Sequence, residues 1–164
     1  MPSLRTAFLL SAVVLLSACG FHLKGTQGAL SYTPDTLYLV TPDNRGDLAL
    51  VLRDYIDAQK ITLLKQGNDA LTVVISDIDN RRIEKAMGNN TDRTREIELN
   101  DGFVATISRD GVVLGTRRIS SQTSIEYASN TYLGNSEEER EAHIRLMREN
   151  ADKLLRFISA VGKP

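Results

Sequence analysis

The C-terminal stretch of this chain sets the strongest limit on its architecture. Ile144, Met147, Ala151, Leu154, Leu155, Ile158 and Val161 fall on one face of a helix. A one-sided apolar stripe of that length has to be covered by another layer. Glu137, Glu138, Glu139 and Glu141 crowd its N-terminal end, and Lys153, Arg156 and Lys163 sit toward its C-terminal end, the distribution the helix dipole favours. Ser136 and Glu139 have capping-box spacing, which predicts the helix start there, and Gly162 and Pro164 stop it. A second stripe, Leu48, Val51, Leu52, Tyr55 and Ile56, has the same helical spacing. Turn and cap residues precede it in Asp43-Asn-Arg-Gly-Asp47. Arg53 and Asp57 stand one turn apart on its exposed side, the spacing of an ion pair.

The layer that covers these stripes reads as strands. Thr36-Leu-Tyr-Leu-Val-Thr41 is a short apolar run between Pro34 and Pro42. Ile61-Thr-Leu-Leu64 is a brief strand or the end of a loop. Gly67-Asn68-Asp69 turns the chain into the β-branched run Leu71-Thr-Val-Val-Ile-Ser-Asp-Ile78. Ile97, Leu99, Phe103, Ala105 and Ile107 alternate with polar residues, and Asp101-Gly102 interrupts the run without changing its parity. Asp110-Gly111 is a strong two-residue hairpin signal. Beyond it the apolar set moves from Leu114 to the odd positions Ile119, Ile125 and Tyr127, a slip that a bulge near Gly115 accommodates. The order β-α-(β)-β-β-β-α predicts an α+β fold. It is a two-layer sandwich, with two helices packed on one face of a mostly antiparallel four-stranded sheet and the other face left for solvent or a partner.

Composition narrows the chemistry. One cysteine excludes an intramolecular disulfide, and His22 and His143 are the only histidines, too few soft ligands for a zinc site. Twenty basic residues against twenty-one acidic ones create no global field for nucleic acid. His143 is read as a solvated residue on the last helix rather than a general base, and Ser120, Ser121 and Ser124 have no histidine neighbour in sequence. Asp77 and Asp79 alternate on one strand face, a spacing that can seat a cation but is more often simply solvated. No cofactor is implied.

The N-terminus changes the class. Arg5 is followed by Phe8-Leu-Leu-Ser-Ala-Val-Val-Leu-Leu16, too short for a membrane span of about 20 apolar residues but suited to a secretory signal. The lone cysteine closes Leu16-Ser17-Ala18-Cys19, which resembles the bacterial lipobox. Residues 1–18 are then a cleaved signal peptide, 19–35 a lipidated tether and 36–162 a single α+β domain. Three acyl chains on Cys19 hold far more firmly than one. Among lipoproteins of this kind an aspartate after the cysteine marks inner-membrane retention. Gly20 stands there instead and implies the outer membrane, lipid-anchored on the periplasmic side.

Charge concentrates in one segment. Arg81, Arg82, Lys85, Arg93 and Arg95 stand against Glu84 and Asp92, around a centre of Gly88-Asn89-Asn90 that reads as a connection between two strands. Such a cluster forms either a fork for phosphate groups or an ordinary solvated hairpin end. Arg117-Arg118 extends it on the next strand.

Leu16-Ser-Ala-Cys-Gly-Phe-His-Leu-Lys-Gly25 resembles the start of the lipopolysaccharide-assembly lipoproteins of the LptE family, and the order and size of the elements that follow are similar. The resemblance implies a non-enzymatic plug and assembly factor. It would sit inside a large outer-membrane β-barrel, LptD, and bind lipopolysaccharide. On this reading Cys19 is acylated, and Gly20, Phe21, His22, Leu23 and Lys24 form the tether against the barrel wall. Arg81, Arg82, Lys85, Arg93 and Arg95 are the candidates for the lipid A phosphates. A basic residue expected near the start of the last helix is absent from Tyr132-Leu-Gly-Asn-Ser136. A pilotin-like lipoprotein that chaperones another outer-membrane complex, without affinity for lipopolysaccharide, is the alternative. A periplasmic hydrolase or inhibitor is disfavoured by the scarcity of histidine.

Overall fold

A computed structural model of the chain describes residues 30, 32–67, 70–87, 94–127 and 132–163. The signal and lipobox residues, Cys19 and Gly20 to Lys24 lie outside the described residues. The elements run β1 (Thr36–Val40), α1 (Asp47–Ala58), β2 (Thr62–Leu63), β3 (Leu71–Met87), β4 (Thr94–Arg109), β5 (Val112–Tyr127) and α2 (Tyr132–Val161). The sheet order is β2-β1-β3-β4-β5. β1 pairs in parallel with β2 and β3, while β3–β4 and β4–β5 are antiparallel. Five strands in a mixed sheet replace the expected four, because Thr62–Leu63 forms a short pair on the outer side of β1. Among the described residues no helix is long and apolar enough to cross a membrane.

Both helices cover one sheet face. Leu37, Val73, Ile75, Phe103, Ala105, Ile107 and Ile119 point toward them and meet Leu52, Ile56, Leu154, Leu155 and Ile158, all nearly inaccessible to water. A smaller cluster, Ile97, Leu99, Ile125, Ala142 and Leu146, lies farther along. Each Leu, Ile or Phe fully buried this way contributes about 1.5–3 kcal/mol. The opposite face carries Thr106, Ser108, Thr116, Arg118 and Gln122 at alternate positions, and Thr106 Oγ1 lies 3.2 Å from Thr116 Oγ1 across the ladder.

The bulge in β5 keeps its apolar residues on the helix side, whereas the bulge in β3 turns Asn80, Arg82 and Glu84 to that side and leaves Ile83 exposed. Ile107 pairs with Gly115 and Ser108 with Val113, so Leu114 is the extra residue, next to the expected position. Gly115 belongs there because the Phe157 ring approaches to 3.1 Å of where a Cβ would stand. The preceding turn uses positive φ at both residues, 51° at Asp110 and 79° at Gly111, as a two-residue hairpin requires. A second bulge lies between Ser76 and Asp79, where Asp77 adopts φ 46°.

Three local expectations are corrected. α2 starts at Tyr132, not Ser136, so Ser136–Glu139 is no capping box and Glu139 serves Arg82 instead. α1 is capped by Gly46 without a side-chain hydrogen bond. Arg53 leaves Asp57 and turns back to Asn44, donating to its backbone O at 2.8 Å and its Oδ1 at 2.9 Å, which ties the turn before α1 to the helix. Replacing Phe103, at 1% exposure, by Ala is predicted to remove about 3–5 kcal/mol of stability. Urea denaturation reads this as a lower midpoint at unchanged slope, and an unshifted midpoint contradicts the core assignment.

Candidate functional site

The basic segment is strand on either side of residues 88–93, which lie outside the described residues. β3 continues to Met87 and β4 begins at Thr94, so Arg81, Arg82 and Lys85 belong to a long antiparallel arm in which Arg82 pairs with Leu99 and Lys85 with Glu96. A strand that is polar on both faces lacks the alternation by which a half-buried strand is recognised. Its backbone ladder forms regardless of side-chain polarity. Arg93 lies outside the described residues. Arg95 is placed only by its backbone, opposite Ala86 and Tyr127.

The alternation splits the candidates between two faces. Arg82 points to the helix side, where Nε donates to Glu139 of α2 at 2.8 Å and the guanidinium also contacts Glu84. Those carboxylates, Glu139 first, hold it still more firmly protonated than an ordinary arginine. Arg81 and Lys85 point to the open face. Arg81 pairs with Asp79 at 2.8 Å, and Arg118 of β5 reaches the same Asp79 oxygen at 2.9 Å. The Asp77/Asp79 cation reading is thereby corrected, since one carboxylate serves two guanidinium groups and the bulge separates the pair. Lys85 Nζ lies 2.5 Å from Glu98 Oε2, and that hydrogen bond raises the lysine's pKa. Exposed pairs of this kind are worth only about 0.2–1 kcal/mol each. The carboxylates therefore position these cations without locking them.

A second constellation was not legible in the sequence. His143, read as solvated, is half-buried, and its Nδ1 lies 2.8 Å from Oδ2 of Asp101, whose side chain is 4% exposed. Asn150 Nδ2 donates to the Asp101 backbone O at 2.8 Å, Ser121 Oγ donates to Asn150 Oδ1 at 2.7 Å, and Lys153 Nζ donates to Ser121 Oγ at 2.8 Å. Lys153 also pairs with Glu149 and lowers that carboxyl's pKa. Burying an acid requires partners of this kind. The belt separates the two apolar clusters, with Phe103 and Ile119 on one side and Leu99 and Ile125 on the other. A signal did exist: His143 and Asn150 stand seven residues apart on the apolar stripe, opposite the Asp101 that interrupts β4. The Ser121 hydroxyl engages Asn150 and Lys153, while Ser120 and Ser124 lie on the sheet face away from His143. The arrangement is a structural tie between α2 and the sheet.

Between α1, the arm of β3 and the first half of α2 runs a cleft. Val51, Ile144 and Met147 give it an apolar side, and Arg82, Arg140 and Arg148 alternate with Asp47, Asp54 and Glu139 around it.

A family model described as LptE, lipopolysaccharide-assembly, matches residues 34–158. Among solved structures, the chain is similar to an uncharacterized lipoprotein B from Nitrosomonas europaea (16% identity, 81% of this chain and 88% of that one, TM-score 0.67). It is also similar to the rare lipoprotein B from Shewanella oneidensis (16%, 77% and 96%, TM-score 0.62). A minor lipoprotein from Acinetobacter baumannii is similar as well (22%, 78% and 92%, TM-score 0.59). At these identities the structural likeness is one of fold. None of the curated proteins matches the sequence.

A double-mutant cycle with Asp101→Asn and His143→Gln is predicted to show a coupling of about 1.5–3 kcal/mol, as for a charge-assisted hydrogen bond. Additive losses would remove the pair from the stability of the fold.

Proposed function

The chain belongs to the LptE family, and on that footing we propose that it is a lipid-anchored outer-membrane subunit that assembles lipopolysaccharide at the cell surface. In this reading Cys19 carries the acyl chains, and Gly20, Phe21, His22, Leu23 and Lys24 lead from the membrane along the wall of a large LptD-like β-barrel. The folded domain sits in the barrel lumen as plug and assembly factor.

The open sheet face is the observation that carries the plug reading. The helices take up one face, and the other carries Thr, Ser and Gln with Val104, Arg118 and Glu residues along the sixteen residues each of β4 and β5. Barrel lumens are polar, and a largely polar face of this kind is chemically suited to meet such a wall.

The lipopolysaccharide contact is assigned to the arm. Arg81 and Lys85 share the open face and, with Arg93 and Arg95, are the candidates for lipid A phosphates. Each phosphate contact exchanges an exposed carboxylate partner for a doubly charged one, and a charge-assisted contact to phosphate is the stronger. Arg82 is bound to α2 and its role is positional. Arg81→Glu with Lys85→Glu is predicted to lower lipopolysaccharide binding roughly tenfold, since two exposed contacts at up to about 1 kcal/mol each are lost and reversed. Glu98→Gln, which frees Lys85, is predicted to raise it. Arg82→Ala is predicted to lower thermal stability with little effect on binding. Unchanged binding in the double reversal, measured with purified lipopolysaccharide, removes the arm from the site.

A further inference from the structure

The β4–β5 hairpin ends in three consecutive apolar residues left in water. Val112 is 64% exposed, Val113 61% and Leu114 37%. Such a run is an error in a folded surface unless something covers it. The run is also held firmly. Val112 pairs with Arg109 and Val113 with Ser108, and the bulge at Leu114 turns the strand outward. The hairpin leans on the end of α2, where Gly115 packs against Phe157 and Val161 and an Arg109 guanidinium nitrogen donates to the Gly162 backbone O at 2.5 Å.

The N-terminal segment enters the fold at the same end. Tyr32 N donates to Ser159 Oγ at 2.9 Å, and the Tyr32 ring packs against Gly162. Eleven residues lead from Cys19 to Leu30, a reach of at most roughly 36–40 Å. The same end also carries Arg109, Arg117 and the exposed Lys163, with Asp110 and Asp35 as carboxylates among the described residues. Arg117 extends over the Phe157 ring at 5.9 Å. Cations around an apolar tip suit anionic phospholipid headgroups above an acyl layer.

We propose that Val112, Val113 and Leu114, at the tether end where the domain leaves the barrel lumen, form a second membrane contact, docking at the headgroup–acyl boundary of the leaflet that holds the acylated Cys19. The inference rests on the acylation proposed above. Two attachment points at one end would fix the tilt of the domain, with the basic arm at the far end of β3 and β4 pointing away from that leaflet. The occupant is a bilayer bearing anionic phospholipid, and a protein rim is the competing outcome.

The chain contains no tryptophan, so Val113→Trp places a single reporter at the tip. The full acylated protein is reconstituted in phosphatidylethanolamine–phosphatidylglycerol vesicles whose acyl chains are brominated, with Ile83→Trp on the arm as the control. The expected result is blue-shifted emission from Val113→Trp, quenched at least twofold by the bromines, while Ile83→Trp stays unquenched. Flotation of the protein with the vesicles but no quenching at position 113 overturns the proposal. A blue shift that appears only when the barrel partner is added overturns it in favour of a protein contact. Failure to float locates the fault in the acylation of Cys19 and takes the second contact down with it.

Discussion

Everything in this fold depends on covering the stripe of α2. Leu146, Ala151, Leu154, Leu155 and Ile158 are all 3% exposed or less, and the surface that buries them is supplied by the odd positions of β4 and β5 together with β3. A thirty-residue helix laid on β4 and β5 requires those strands to keep their apolar residues on one side. The bulge at Leu114 sets that parity for β5, whereas the bulge between Ser76 and Asp79 reverses it in β3 and brings Asn80 and Arg82 to the helix side. α1 contributes the same service over β1 and the near half of β3, through Ala49, Leu52 and Ile56.

The stripe is interrupted on purpose. His143 and Asn150 replace apolar residues at the point where Asp101 interrupts β4, and the resulting belt of hydrogen bonds splits the core in two. An apolar belt would hold the layers at least as well, since a buried charged group is seldom a net gain. A polar belt instead fixes the register of α2 against the sheet, because only one placement of the helix satisfies Asp101, Asn150 and Ser121 together. That register brings Glu139 to Arg82 and so ties the base of the basic arm to the helix layer, leaving Arg81 and Lys85 on the open face.

Much of the architecture was readable from the sequence where a residue pattern has one physical cause. The two stripes, the Asp110-Gly111 turn and the bulge beside Gly115 followed from period and parity. The strand count did not, because Thr62–Leu63 is defined by its neighbour rather than by its own pattern. The arm from Arg81 to Lys85 carries no strand signal because Ile83 is its one apolar residue, and periodicity detects burial, not hydrogen bonding. His143 read as solvated for a related reason. Its burial depends on Asp101, forty-two residues away, and its place with Asn150 on the stripe does not by itself name that partner. Of the site candidates, the segment was legible but its division between two faces was not, because the bulge before Asp79 decides which way each cation points.

The central claim is that the open sheet face meets the wall of a barrel. A photoreactive residue at Thr106, in the middle of that face, tests it most directly. The protein is cross-linked in intact outer membranes and recovered under denaturing conditions. The account predicts a single adduct with a large β-barrel protein, absent when the same residue replaces Ala151 beneath α2. No barrel adduct from Thr106, or one with a different class of partner, would contradict it.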